Sequence, residues 1–309
     1  MENATTAPEE EKEKDNIGEG IITFLSYFFV LPVFIIFHKI LPDPDWPLFL
    51  DRVLLATAIF FLIKLLLYVF KPIILVGFVL ALLWLTYGSI WGNYGFRGFY
   101  NDYRALIFSM ANSPNPEHIA INEFKSFPVK SKVKVAADYD QENVRNFAVK
   151  TASKYFTEFQ KQPYYSKYRV LIQSFSIFKE INSNWNYVND PDDKEYFAKA
   201  SETVNLMAGD CDDHTVFMTA CIKAIGGKTR MILTTGHIYP EIYVGDMADL
   251  EEINYLIHAE LFKEETDGKS LYYHIDEDGG IWLNLDYTGN YPGGKFMADD
   301  VLGMIYLDS

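Results

Sequence analysis

The chain is poor in cysteine and has no surplus of basic residues. Its 309 residues include two cysteines, Cys211 and Cys221, and 27 lysines and arginines against 42 aspartates and glutamates, a net charge of −15. Phosphate binding needs a positive surface, so this balance argues against a nucleic-acid partner. A helix joining the two cysteines would separate them by about 15 Å, too far for a disulfide, which needs Cα atoms within about 7 Å. We therefore predict two free thiols.

The first residues also lack the marks of a cleaved signal peptide. Residues 1–19, MENATTAPEEEKEKDNIGE, have no basic start, and no small-residue cleavage site follows the next apolar stretch. We predict a disordered acidic tail.

Long apolar runs dominate the first ninety or so residues. One run covers 20–37, and a second, from 53 to 91, is broken only by Lys64 and by Lys71-Pro72. The second run is about twice the 20 residues that one membrane span needs, so we divide it at Lys71-Pro72. The sequence thus predicts a membrane domain over 20–92 with three transmembrane helices, 20–37, 53–70 and 73–91, in contact with a lipid bilayer.

Basic residues flanking these spans suggest an orientation. With three spans, one face of the membrane receives Lys39, Arg52, Arg97 and Arg104, and the other receives Lys12, Lys14 and Lys71. The face that carries the C-terminal domain has one basic residue more, so the positive-inside rule favours a cytoplasmic C-terminal domain. Two spans with a re-entrant piece would reverse this orientation. We expect an integral protein of a bacterial inner membrane.

Beyond the spans we predict a connector over 93–137 and a soluble domain over 138–309. Val144, Phe147, Ala148, Ala152 and Phe156 recur at helical spacing. Further helices are predicted for Tyr165–Ile181 and for an alanine-rich segment around Lys194–Met207.

Residues 208–232, AGDCDDHTVFMTACIKAIGGKTRMI, are the most informative stretch. Gly209-Asp210 is typical of a turn, and a helix is predicted to begin near Cys211 and to end at Gly226-Gly227. At the helix start, free N–H groups and the helix dipole stabilise a thiolate on Cys211. Cys221 lies on the apolar face and is predicted to be buried.

Strand-like segments follow this helix. They are Lys228–Thr234, His237–Val244, Leu271–Ile275 and Ile281–Leu285. A helix N-terminus that faces several strands predicts an α+β core. A thiolate nucleophile needs a base within hydrogen-bond reach and a third group to orient that base. Cys211 at a helix start, His237 at a strand start and Asp286 at a strand end can supply these three roles.

The soluble part resembles a transglutaminase-like domain, from the papain-like superfamily of cysteine acyl-transfer enzymes. The matching motifs are YVNDP at 187–191, GDCDD at 209–213, AIGGKTRMI at 224–232, GHIYPEIYV at 236–244 and WLNLDYT at 282–288. The resemblance covers roughly 140–290. It implies a helix carrying the cysteine, packed on an antiparallel sheet, with Cys211 as nucleophile, His237 as base and Asp286 orienting the histidine.

Two features depart from this resemblance. Tyr239 stands where the family usually has tryptophan, and Pro240 follows it. The interval from His237 to Asp286 is long and contains Asp249–Glu264, which we predict to be an inserted amphipathic helix. That helix either packs on its own domain or serves as a lid or a docking face.

Other residues near Cys211 have two interpretations each. Asp210, Asp212, Asp213 and His214 are a ligand-capable cluster, but no CxxC or HExxH spacing is present and carboxylates at a helix start have an ordinary capping role. We expect no metal and no cofactor. Trp185 and Tyr187 either pack beside the helix or help the backbone N–H of Cys211 to stabilise an oxyanion.

Two functions remain open. The first is a membrane-anchored cysteine-dependent enzyme that acts on amide or peptide bonds of a protein or peptide substrate, as a protease, an amidase or a transamidase. The second is a catalytically silent binding or scaffold module in a complex with other membrane proteins.

Overall fold

The structure, a computed structural model, describes residues 7–40, 50–91, 94–111, 115–116, 130–190, 196–298 and 300–307. The chain divides into two compact units, Met1–Ala111 and Asn112–Ser309.

The first unit is helical. Its helices are α1 (Ala7–Ile40), α2 (Leu50–Val69), α3 (Lys71–Trp91) and α4 (Phe96–Ala111). Three stretches are long and apolar enough to cross a membrane: Asn16–Phe37, Arg52–Val69 and Lys71–Trp91. Most of their large apolar side chains are exposed, which is the arrangement expected of helices that contact lipid. The three predicted spans are confirmed as apolar helices, and the break between the second and third falls at Lys71, as predicted.

The structure has helices on both flanks of these spans. Residues 7–19, predicted to be disordered, form the beginning of α1, consistent with the strong helix propensity of glutamate and lysine. The predicted connector contains helix α4, in which Tyr103 Oη donates to the Phe28 carbonyl at 2.7 Å and the two rings stack. It also contains α5 (Lys130–Ala136), where Val133 and Ala136 are buried one turn apart. Residues 1–6 and 117–129 lie outside the described residues.

The second unit is an α+β domain, as the sequence predicts. Its remaining helices are α6 (Glu142–Ala152), α7 (Thr157–Gln160), a 3₁₀ helix (Pro163–Tyr168), α8 (Arg169–Asn184), α9 (Ala200–Leu206), α10 (Cys211–Ala224), α11 (Met247–Tyr255), a π-helix (Leu256–Leu261) and α12 (Lys263–Thr266). Helix α10 is central, because every residue from Asp212 to Ile222 is buried. Helices α6, α8 and α9 and strands β4 (Thr229–Thr234) and β5 (His237–Gly245) pack around it.

One main sheet supports these helices. Besides β4 and β5 it contains β1 (Asn115–Pro116), β6 (Tyr272–Ile275), β7 (Ile281–Asn284) and β8 (Gly303–Tyr306), in the order β1-β6-β7-β5-β4-β8. All neighbours are antiparallel except β1 and β6. Two short strands, β2 (Asn186–Tyr187) and β3 (Ala208–Gly209), pair separately, just before α10.

Helix α6 is shorter than its pattern predicts. It ends at Ala152, and Phe156 adopts a left-handed backbone conformation with φ of 59° before α7. Phe156 packs against the core from this turn, where its ring centroid is 5.4 Å from that of Phe262.

The segment predicted as an inserted helix packs on its own domain. It consists of α11, the π-helix and α12 rather than one regular helix. Its predicted apolar face is buried in the main core; these residues are Leu250, Ile253, Leu256, Ile257 and Leu261. Their burial favours the packing interpretation over a lid.

Pro240 determines where β7 stops pairing. In the register of β5 and β7, Glu241 faces Asn284, so Pro240 faces Leu285. Leu285 donates its N–H to the Pro240 carbonyl at 2.9 Å. Proline has no N–H to return this bond, so the ladder ends here and the chain leaves the sheet at Asp286.

Arg230, Glu241 and His274 are buried together on the sheet. Arg230 Nε donates to Glu241 Oε2 at 2.7 Å, and its guanidinium lies 4.3 Å from the ring centroid of Trp282. His274 Nδ1 lies 2.5 Å from Glu241 Oε1, and its ring stacks on Phe296 at 4.2 Å. Burial alone raises the pKa of Glu241, but the interactions with Arg230 and His274 outweigh burial and hold that pKa below its ordinary value.

We therefore expect Glu241→Gln to destabilise the second unit. It leaves the buried Arg230 guanidinium without its counter-charge, and breaking a buried pair in this way costs about 3–5 kcal/mol. Urea denaturation of the full chain in mild detergent, followed by circular dichroism, measures the change. Lys154→Gln is the control, since Lys154 pairs with Glu180 from a half-exposed position. Equal stability of the two variants would contradict the expectation.

Candidate active site

Cys211 is the first residue of helix α10, and the local sequence fixes it there. The Asp210 carboxylate caps the helix by accepting the Asp212 N–H at 3.2 Å. Gly209 has a φ of +154°, and a Cβ at this position would lie 2.3 Å from Asp213 Oδ2. The turn before Cys211 therefore requires glycine. The prediction of a helix starting at Cys211 is confirmed.

His237 is the first residue of β5, after a two-residue turn from β4. A hydroxyl connects this strand to the helix. Thr215 Oγ1 lies 2.7 Å from the Cys211 carbonyl oxygen and 3.0 Å from that of Ile238. Thr215 thus connects the start of α10 to the start of β5. The four-residue spacing from Cys211 can be read from the sequence, but the contact with Ile238 cannot.

Asp286 follows β7 and faces His237. His237 Nε2 lies 2.7 Å from Asp286 Oδ2, and both side chains are almost fully buried. The other carboxylate oxygen accepts the Thr288 N–H at 3.3 Å. Since Nε2 is occupied by Asp286, Nδ1 is the ring nitrogen left for proton exchange with the thiol.

The Cys211 side chain interacts with the same imidazole. Burial lowers the pKa of His237, but its hydrogen bond to Asp286 and its interaction with Cys211 outweigh burial and raise this pKa to about 9. The structure thus brings together all three residues singled out from the sequence.

The chain matches no family model, no curated protein and no solved structure. Its site is therefore interpreted from its own geometry. That geometry is a cysteine at a helix N-terminus, beside a histidine that is bonded to a buried aspartate.

The second cysteine takes no part in this arrangement. Cys221 is fully buried within α10, and burial raises the pKa of its thiol well above the ordinary value. Both cysteines are free, as predicted.

Three carboxyl groups cluster beside Cys211. Ligand atoms of Asp210, Asp212 and Asp213 lie within 4.8 Å of one another. Burial, with a hydrogen bond to Asp210, raises the pKa of Asp212 to about 10, so this carboxyl is protonated at neutral pH. Burial also raises the pKa of Asp213 to about 6, although Asp213 Oδ1 accepts the Ala198 N–H at 2.7 Å. The cluster therefore carries less negative charge than its composition suggests.

Aromatic rings surround the site. Tyr187 stacks on Tyr287, with ring centroids 5.5 Å apart. Tyr287 also packs beside His237, at 6.1 Å between centroids. Trp185 lies edge-on to His214 at 5.0 Å. Both of the aromatic residues singled out before the helix therefore have packing partners here.

His214 does not join the carboxyl cluster, contrary to the grouping considered from the sequence. It is fully buried, and its Nε2 lies 3.1 Å from Asn182 Oδ1 on α8. Burial lowers the pKa of His214 to about 4, so this histidine is neutral. The sequence does not reveal the role of Asn182, because nothing in the spacing of α8 links this residue to a residue of α10.

The raised pKa of His237 predicts a pH dependence of stability. In the unfolded chain this histidine titrates near its ordinary value of 6.5, and in the folded chain near 9. Its imidazolium therefore stabilises the fold fully below about pH 6.5, and this contribution is lost as the pH rises through about 9.

The comparison of wild type with His237→Gln measures this contribution. We expect the wild type to exceed the variant in unfolding free energy by more at about pH 6 than at about pH 9.5. A difference that is constant over this range would show that His237 titrates alike in both states.

Proposed function

We propose that this protein is a membrane-anchored, cysteine-dependent acyl-transfer enzyme. The observation that supports this proposal is the 2.7 Å bond between His237 Nε2 and Asp286 Oδ2, which leaves Nδ1 for the thiol of Cys211. We further propose that the soluble unit has a transglutaminase-like fold. The α+β architecture, with a buried cysteine-bearing helix on an antiparallel sheet, is consistent with it.

The proposed chemistry follows from these positions. The Cys211 thiolate attacks the carbonyl carbon of an amide or peptide bond, and the backbone N–H of Cys211 stabilises the oxyanion. As the C–N bond breaks, His237 Nδ1 gives its proton to the leaving amine. The acyl group remains on sulfur as a thioester.

The second half-reaction restores the Cys211 thiolate and the His237 imidazolium. Water or an amine attacks the thioester carbonyl, and Nδ1 accepts its proton. The C–S bond breaks, and Nδ1 and Sγ recover their starting protonation. Water makes the protein a protease or an amidase, and a lysine amine makes it a transamidase. The substrate is a protein or a peptide.

Thiol alkylation tests the proposal without a known substrate. We expect iodoacetamide to label Cys211 at about pH 6.5, roughly two units below the ordinary thiol pKa, and His237→Ala to slow this about ten-fold or more. Mass spectrometry of the full chain in detergent gives the rate at each cysteine. Cys221 is the internal control, because it is buried.

Labelling of Cys211 that is insensitive to His237→Ala would favour a silent scaffold module instead. Asp286→Asn refines the test. We expect it to slow labelling as well, since it removes the charge that holds the imidazolium.

We propose that the soluble unit faces the cytoplasm, following the excess of basic residues on that side of the predicted spans. In intact bacterial cells, a membrane-impermeant maleimide should then leave Cys211 unlabelled and should label Glu10→Cys, made in a Cys211→Ser background. After lysis both should react. Labelling of Cys211 in intact cells would contradict the orientation, and protection of both sites would contradict three spans.

A further inference from the structure

His214 is linked to the turn that follows Asp286. Its Nε2 bonds Asn182 Oδ1 at 3.1 Å, and Asn182 Nδ2 donates to the Gly289 carbonyl at 2.9 Å. Gly289 in turn donates its N–H to the Asp286 carbonyl at 3.1 Å. A continuous chain of hydrogen bonds therefore runs from the first turn of α10, through α8, to the backbone of Asp286.

The chemistry of these groups fixes every donor and acceptor. A carbonyl only accepts, so the amide nitrogen of Asn182 must face Gly289. The amide oxygen then faces His214, and His214 must carry its proton on Nε2. Full burial favours the neutral imidazole, and the bond to Asn182 places its single ring proton on Nε2.

The same histidine lies against the proposed triad. The ring of Tyr287 contacts both histidines, with centroids 5.5 Å from His214 and 6.1 Å from His237. The charges of Asp286 and His237 both act on His214. An imidazolium at position 214 would put a second cation near His237, so the neutral form suits this place.

We infer that His214 and Asn182 are positioning residues, which hold the turn 286–289 against the helix that carries Cys211. They thereby keep Asp286 aligned with His237. The importance of this role for catalysis rests on the proposed function, but the alignment of Asp286 with His237 can be measured separately.

Two variants break the chain at different links. His214→Leu removes the donor to Asn182, and Asn182→Asp keeps an acceptor for His214 but loses the donor to Gly289. His214→Gln is the matched control, because its amide N–H reaches about as far as Nε2–H. Thermal unfolding of the full chain in detergent verifies that each variant is folded.

The first measurement is the iodoacetamide labelling rate of Cys211 across pH. We expect His214→Leu and Asn182→Asp to slow labelling at about pH 6.5 by about ten-fold, and His214→Gln to stay within about three-fold of wild type. If wild type shows the enhanced labelling, folded His214→Leu protein that labels like wild type would overturn the role, as would a glutamine variant that is as impaired as leucine.

The second measurement is the titration of His237 by NMR of ¹⁵N-histidine-labelled chain, assigned with His237→Gln. We expect the midpoint, near 9 in wild type, to fall toward the ordinary value in His214→Leu and to be kept in His214→Gln. This readout separates the two proposals. A midpoint that falls while Cys211 shows no enhanced labelling even in wild type would support the positioning and end the proposed function. A midpoint unchanged in folded His214→Leu would end the positioning.

Discussion

The bond between the buried Asp286 carboxylate and the His237 imidazole is the constraint on which the site depends. Asp286 is 2% exposed, and an isolated buried charge would be strongly destabilising. Pairing with an imidazolium relieves this cost. The end of β7 must therefore meet the start of β5, and the pair raises the pKa of His237 to about 9. The Asp286–His237 pair thus stabilises the fold and also holds a cation, the His237 imidazolium, beside the Cys211 sulfur.

The end of β7 can reach the start of β5 because one hydrogen bond of the strand pair, from position 240 to Leu285, is not formed. A residue other than proline at position 240 could donate to Leu285 and continue the ladder of β5 and β7. Because Pro240 cannot, the chain is free to turn at Asp286, where Asn284 Oδ1 accepts the Asp286 N–H at 2.9 Å. In the sequence, Pro240 is a departure from the resembled family that leaves the scaffold alternative open. In the structure it has a local reason, so it no longer argues against an assembled site.

Local signals predict the elements around the site well. A glycine-aspartate turn and two glycines bound α10, and alternation with turn residues gives β4, β5, β6 and β7 to within one residue at each end. The three site residues follow from those bounds. Apolar length alone gives the three membrane-type helices.

Features that depend on distant partners were not predictable in this way. Strand β8 has four residues and is defined by its pairing with β4. Helix α5 is seven residues long and has two buried residues to mark it. The buried Arg230–Glu241–His274 group joins three strands, and the bond between His214 and Asn182 joins two helices. No pattern within one segment reports such contacts, since each needs the tertiary fold.

Charge around the thiol explains why the histidine matters more than the helix dipole. The positive end of α10 is shared with Asp210, whose carboxylate already caps the Asp212 N–H. Negative charge on Asp210 and Asp213 opposes a thiolate at the same helix end, even though Asp212 is protonated at neutral pH. These carboxylates act against the dipole, and His237 is the cation that interacts with Cys211. A thiolate on Cys211 then depends on the imidazolium of His237, which in turn depends on Asp286. Because the turn 286–289 positions Asp286, residues far from the sulfur can control the reactivity of the thiol.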